Sequence, residues 1–127
     1  MPTQEQKKTG QSGIVSHTQR ISQLMLEKKA LDIKIIDVRN ITTLTDFFII
    51  CTSESGPQAR AITDHIHKQM KKDGIKAWHI EGYKNLDWVL LDYVNIVVHV
   101  FSRESRDYYN IDRLWADGKI TQVYDKK

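Results

Sequence analysis

The chain has 127 residues, with 19 Lys and Arg against 16 Asp and Glu for a formal net charge of +3. That length supports one hydrophobic core but not two, and basic residues interspersed with acids lack the one-sided stripe of a dedicated nucleic-acid binder. A lone cysteine, Cys51, excludes an internal disulfide and a multi-cysteine zinc site, and no apolar run reaches the ~18 residues of a membrane span.

Residues 1–16 are polar and include Gly10 and Gly13, so a disordered tail is expected there. They lack the apolar stretch of a secretory signal and the arginine-rich character of a transit peptide, which makes the cytoplasm the expected location. From Thr18 the apolar positions Ile21, Leu24, Met25 and Leu31 recur at helical spacing, which predicts a first helix of about 13 residues. "IKIIDV" (33–38) and "FFIIC" (47–51) are short and β-branched or aromatic, and both read as strands. "SESGPQ" (53–58) is turn chemistry ending in Pro57, which suits the first turn of a helix because its missing N–H would be unpaired there. That helix runs to about Lys72, burying Ala59, Ile62, Ile66 and Met70, and stops at Asp73-Gly74.

"KAWHI" (76–80) is a third short strand, and "WVLLDYVNIVVHVF" (88–101) supplies two more as a hairpin. A two-residue connection at Val94-Asn95 makes Val89, Leu91, Tyr93, Ile96, Val98 and Val100 one wholly apolar face. The other face pairs Asp92 with Val97, Leu90 with His99 and Trp88 with Phe101. A β-branched Val94 resists the positive φ that a type I′ turn needs at both central residues. His99 reads either as a core residue under a covering helix or as a functional group. Trp88 begins its strand, where burial is partial, and Trp is a preferred anchor in interfaces. "ESRDYYNIDRLW" (104–115) reads as a final helix closed by Gly118, with Tyr108, Ile111 and Trp115 on its inner stripe. Tyr109 then points outward between Arg106 and Arg113, the composition of an interface patch.

The order α-β-β-α-β-β-β-α, with adjacent strands joined as hairpins, predicts a single α/β domain over residues 17–118: a mixed five-stranded sheet with helices packed on it. Residues 119–127 are expected to be a C-terminal tail. No catalytic set is evident. Cys51 ends an apolar strand and reads as a buried, inert thiol. His65 and His67 lie about 200° apart on their helix and cannot share a metal, while His79 and Glu81 are a two-ligand fragment without a third partner. The turn at 53–56 lacks the glycine spacing and lysine of a P-loop, and no carboxylate pair follows it to hold the metal of a nucleotidyltransferase. On the residues alone an enzyme reading is poorly supported, and no cofactor or metal site is expected.

"DFFIICTSES" (46–55), "QARAITDHI" (58–66), "EG" (81–82) and "DWVLLDYVNIVVHVFSRESRDYYNIDRLW" (87–115) resemble the ribosomal silencing factor family RsfS, also called Iojap, over roughly residues 20–116. Two positions depart from the usual pattern. Val94-Asn95 stands where the hairpin tip is commonly Gly-Asp, and Ser53 stands where a glycine is common. The resemblance implies a non-catalytic protein with a nucleotidyltransferase-like fold that represses translation when nutrients are scarce. It would dock on the large ribosomal subunit through the fourteenth large-subunit protein and block joining of the small subunit. Carried over by position, the contact surface would comprise Trp88 and Tyr109 as aromatic anchors, Leu90 for apolar area, Asp92 facing a basic side chain, and Arg106 beside Tyr109. Ribosomal RNA and, in the free protein, a second copy meeting the sheet are the further partners considered. The rival readings are a large-subunit assembly factor, an enzyme that kept nucleotidyltransferase activity, and an RNA-binding module using Arg103, Arg106 and Arg113.

Overall fold

A computed structural model describes residues 3–124, with side chains from residue 13 onward. The elements are α1 (Thr3–Glu27), β1 (Leu31–Asp37), β2 (Phe47–Ser53), α2 (Gly56–Lys72), β3 (His79–Glu81), β4 (Trp88–Asp92), β5 (Ile96–Ser102), α3 (Arg103–Tyr109), α4 (Ile111–Leu114) and β6 (Lys119–Val123). The strands form one sheet in the order β3-β4-β5-β2-β1-β6. β2 and β5 are parallel, and every other pairing is antiparallel. The sheet is mixed, as expected. β2 lies at its centre and is buried on both faces, which is why it reads as a continuous apolar run rather than an alternating one.

Local chemistry places α2 as the sequence predicts. The Ser55 hydroxyl accepts the Gln58 N–H at 3.1 Å, Pro57 sits in the first turn, and Lys71 and Lys72 lie in the last turn, where their charge suits the helix dipole. The Gln58 side chain donates to the carbonyls of Lys28 and Lys29 at 3.1 and 2.9 Å, so the start of α2 caps the end of α1. These two helices cover the first face of the sheet, where Ile21, Leu24, Met25, Ile62, Ile66 and Met70 close on Ile49, Val89, Leu91, Val98 and Val100. Burial of each such aliphatic side chain contributes about 1.5–3 kcal/mol. The second face holds a smaller core of Ile36, Val38, Phe48, Ile50 and Phe101, roofed by Ile111 and flanked by Trp88, Val97 and Trp115.

Four expectations need correction. α1 begins at Thr3 rather than Thr18, so residues 3–16 are helical where a disordered tail was expected. Gln4, Glu5, Gln6, Lys7 and Lys8 are good helix formers, and adding residues to an existing helix costs far less than starting one. The sheet has six strands rather than five, because residues 119–123 of the expected C-terminal tail pair with β1. β6 has no apolar run to announce it. It is held by backbone pairing at an edge and by the Gln122 side-chain amide, which donates to the Ile33 carbonyl at 3.0 Å. Gly118 permits that return: a Cβ there would lie 2.7 Å from the Asp37 carbonyl and 2.8 Å from Ile36 Cγ2. The third strand is shorter than 76–80, with only His79–Glu81 pairing at the far edge.

The expected last helix is two short ones. Asn110 takes the left-handed conformation, φ 46° and ψ 50°, and its N–H bonds to the Arg106 carbonyl at 3.0 Å. Asn is among the few residues that tolerate this region, and it commonly ends helices. The break takes Tyr108 off the stripe of Ile111 and Trp115, leaving it 81% exposed.

Candidate partner-binding surface

The β4–β5 hairpin has the register read from the sequence: Trp88 opposite Phe101, Leu90 opposite His99 and Asp92 opposite Val97. The connection is the two residues Val94-Asn95, closed by the Tyr93 N–H on the Ile96 carbonyl at 2.8 Å. Val94 has φ 74°, and Asn95 is not in the positive region. The Asn95 N–H donates to the Tyr93 carbonyl at 2.9 Å, so Val94 is the centre of a γ-turn, with one strained residue rather than the two of type I′. The Asp92 carboxylate accepts the Val94 N–H at 2.7 Å and so supports that strain.

On the second face the hairpin presents a chain of rings. Trp88 lies with its ring centroid 4.9 Å from Phe101 and 4.7 Å from Tyr109. Tyr108 meets Tyr109 edge-on at 4.9 Å. On the other side of the chain His99 lies 5.3 Å from Phe48, which lies 5.1 Å from Trp115. The Trp88 indole N–H donates to His99 Nδ1 at 2.9 Å. Nδ1 is thus the acceptor, and the imidazole proton sits on Nε2. His99 is 4% exposed, and burial pushes its pKa down to about 3, the nearby Asp112 charge offsetting little of this. Both readings of His99 converge: it is a core residue, and it satisfies the one polar atom of Trp88. The half-buried indole therefore shows only ring surface to solvent, next to the 50% exposed Tyr109.

Backbone shape supports Trp88 as well. Gly82, in the "EG" pair, has φ 79°, and a Cβ on it would overlap the Trp88 carbonyl, so no other residue fits there without displacing the start of β4.

Leu90 and Asp92 lie half-buried on this same face, in the part that α3 and α4 leave uncovered. Arg106 does not lie on the surface beside Tyr109. It is 9% exposed and turns inward, its Nε and Nη2 donating to the two Asp112 oxygens at 3.0 and 2.8 Å and its Nη1 to the Thr52 hydroxyl at 2.9 Å. Lys34 Nζ lies 3.2 Å from the same carboxylate. Burial pushes the Asp112 pKa up, but the hydrogen bonds and charges of Arg106 and Lys34 prevail and leave it below the ordinary carboxylate value. Arg106 and Tyr109 share α3, and a stripe set by Ile111 and Trp115 puts Arg106 outward only if the helix is continuous; with the break at Asn110, α3 turns Arg106 toward Thr52 and Asp112. Periodicity also missed exposed Tyr108 and Leu114. The one available signal was Asn110, a left-handed former in the middle of an otherwise helical pattern.

Both sides of the sheet carry mixed charge: Glu81, Glu104 and Asp107 are exposed alongside Arg103 and Arg113 on β3, α3 and α4, and Asp64 is exposed among Arg60, Lys68, Lys71 and Lys72 on α2. The other sequence candidates stay apart from this surface. Burial raises the Cys51 thiol to about 12, which makes it inert. His65 pairs with Glu27 at 2.7 Å on the far side, and His79 lies 3.1 Å from Glu81 at the sheet edge. Among the described residues no group of three or more His, Cys, Asp or Glu could hold a metal ion, and no helix is long and apolar enough to cross a membrane.

Comparison with known proteins gives a concordant picture. Residues 12–127 match the family model described as "Ribosomal silencing factor during starvation". The ribosomal silencing factor RsfS of Bacillus subtilis is 37% identical over 97 residues, covering 76% of this chain and 82% of that one. RsfS of Halalkalibacterium halodurans is 36% identical over 97 residues, covering 76% and 83%. A solved structure of a Chromobacterium violaceum protein, 32% identical, superposes with a TM-score of 0.71 over 84% of this chain and 92% of that one.

Proposed function

The chain belongs to the ribosomal silencing factor family RsfS, and from that premise we propose that it docks on the large ribosomal subunit through the uncovered part of its second sheet face. Its partner there is the fourteenth large-subunit protein. Once bound, the domain occupies space that the small subunit must enter, so subunit joining is blocked sterically and translation falls under nutrient limitation. The action involves no chemical step. In this reading the nucleotidyltransferase-like fold serves binding only, since the turn at 53–56 is not followed by the carboxylate pair that metal-dependent transfer requires.

The observation that carries the proposal is the Trp88–Tyr109 pair: two rings 4.7 Å apart at the edge of a core, open to solvent, with the indole N–H already bonded inside the protein. A rigid ring whose polar atom is already bonded inside the protein, as the Trp88 indole is, loses little when water leaves, which is the property of a binding anchor. Leu90 adds apolar area. Asp92 uses one carboxylate oxygen in the turn and offers the other to a basic side chain. The protein acts in the cytoplasm, and in its free state the same face is the one available to a second copy.

Sedimentation of the purified protein with isolated large subunits, small subunits and joined ribosomes tests this reading, followed by subunit joining in its presence. Recovery with large subunits alone, together with fewer joined ribosomes, is expected. Equal binding to joined ribosomes, or to none of the three, would overturn it. Recovery only with immature large-subunit particles would replace silencing by a role in assembly.

A further inference from the structure

Outside the aromatic chain, buried Arg106 makes three side-chain hydrogen bonds, and two of them span the break between α3 and α4. Asn110 interrupts the helical path with its left-handed conformation. Arg106 lies in the last turn before the break and Asp112 in the first turn after it, and the two are joined by the paired bonds of guanidinium to carboxylate. The same cluster is fastened to two strands of the sheet: Arg106 reaches Thr52 on β2, and Lys34 on β1 reaches Asp112. A straight helix through 104–115 would put Tyr108 on the stripe of Ile111 and Trp115 and carry Tyr109 about 100° around the axis, away from Trp88. The observed stack of Tyr109 on Trp88 therefore depends on the break.

We infer that Arg106, acting with Asp112, is the positioning residue of the docking surface: it fixes the turn between α3 and α4 that lays Tyr109 on Trp88, and it makes no contact with the partner itself. This rests on the docking function proposed above. Nε, Nη1 and Nη2 are all engaged inside the protein, which sets Arg106 apart from the exposed Arg103 and Arg113.

The test measures affinity for isolated large subunits and, in the same samples, the NMR cross-peak of the Trp88 indole N–H, which reports the stacked Tyr109 ring. The variants of the full chain are Arg106→Met, Asp112→Asn and the apolar pair Arg106→Met/Asp112→Leu, with Arg106→Lys as the conservative change and Trp88→Ala as control. The apolar pair keeps the region packed without a lone buried charge, so it remains informative if a single variant does not fold. Expected are a tenfold or greater loss of affinity in Arg106→Met, Asp112→Asn and the apolar pair alike, a shifted Trp88 signal in each, and partial recovery in Arg106→Lys. Two results would overturn the inference. One is a folded apolar pair that binds like the parent. The other is loss confined to the Arg106 variants with the Trp88 signal unmoved, which would make Arg106 a direct contact. If Trp88→Ala itself binds normally, the docking surface is wrong, and that outcome is separate from either result for Arg106.

Discussion

Beneath α1 and α2 the sheet is aliphatic and closed, with Ile49, Cys51, Val89, Leu91, Val98 and Val100 fully buried, whereas the opposite face carries Phe48, His99, Phe101 and Trp88 in a ring chain that ends on exposed Tyr109 and Tyr108. The first face is covered by two long helices, and the second is only partly roofed by helices of seven and four residues. The contrast shows what an open face requires. Aliphatic side chains without polar atoms need only be covered, and α1 and α2 do that along their length. Rings left at a boundary need their polar atoms met from within, as His99 does for Trp88, and need their direction fixed, as the break at Asn110 does for Tyr109.

The comparison can be broken or sharpened by four measurements, given in descending order of expected effect. Ile62→Ala, on the closed face, should cost about 2–5 kcal/mol of unfolding free energy, the usual range for emptying a buried aliphatic site. Affinity of the folded protein for large subunits should not change; if it fell in step with stability, the two faces would not be functionally separate.

Acid acts on the open face through His99, whose folded pKa is about 3. The fold holds the neutral imidazole, while the unfolded chain takes up a proton below about pH 6.5. Stability is therefore full above that pH and is lost as the pH falls toward 3, amounting to about 3 kcal/mol by pH 4. Denaturant midpoints of the parent and His99→Leu across pH 7 to 4 should converge in acid. Parallel curves would mean that His99 is protonated without cost.

Third in size is Tyr109→Ala. It should weaken binding to large subunits by about thirtyfold, roughly 2 kcal/mol, with little change in melting temperature because the ring is half exposed. Trp88→Ala is a less clean probe than its strand-end position suggested, since it also strips His99 Nδ1 of its donor and should lower stability together with affinity. Equal losses in both properties for Tyr109→Ala would make it a core residue.

The smallest effect is expected at Val94→Gly, which relieves the positive φ at the hairpin tip. Its unfolding free energy should rise by no more than about 1 kcal/mol, since the freer unfolded glycine offsets part of the gain. Binding should be untouched.

The strands at 47–51 and within 88–101, the helix with Pro57 in its first turn and its end at Lys72, and the face of each hairpin residue were legible because apolar periodicity, a proline and a two-residue turn are local signals with few structural solutions. Trp88, Leu90 and Asp92 were placed on the correct face for the same reason: in a strand, alternation alone assigns the side. The sequence by itself thus determined the α/β class, the hairpin register and, through the quoted motifs, the family. Tertiary structure decided the rest. β6 exists because β1 had an edge to pair with and Gly118 let the chain return to it. Arg106 turned inward because Thr52, Asp112 and Lys34, far apart along the chain, meet around it. Such contacts depend on residues from separate elements arriving together, which no local periodicity encodes.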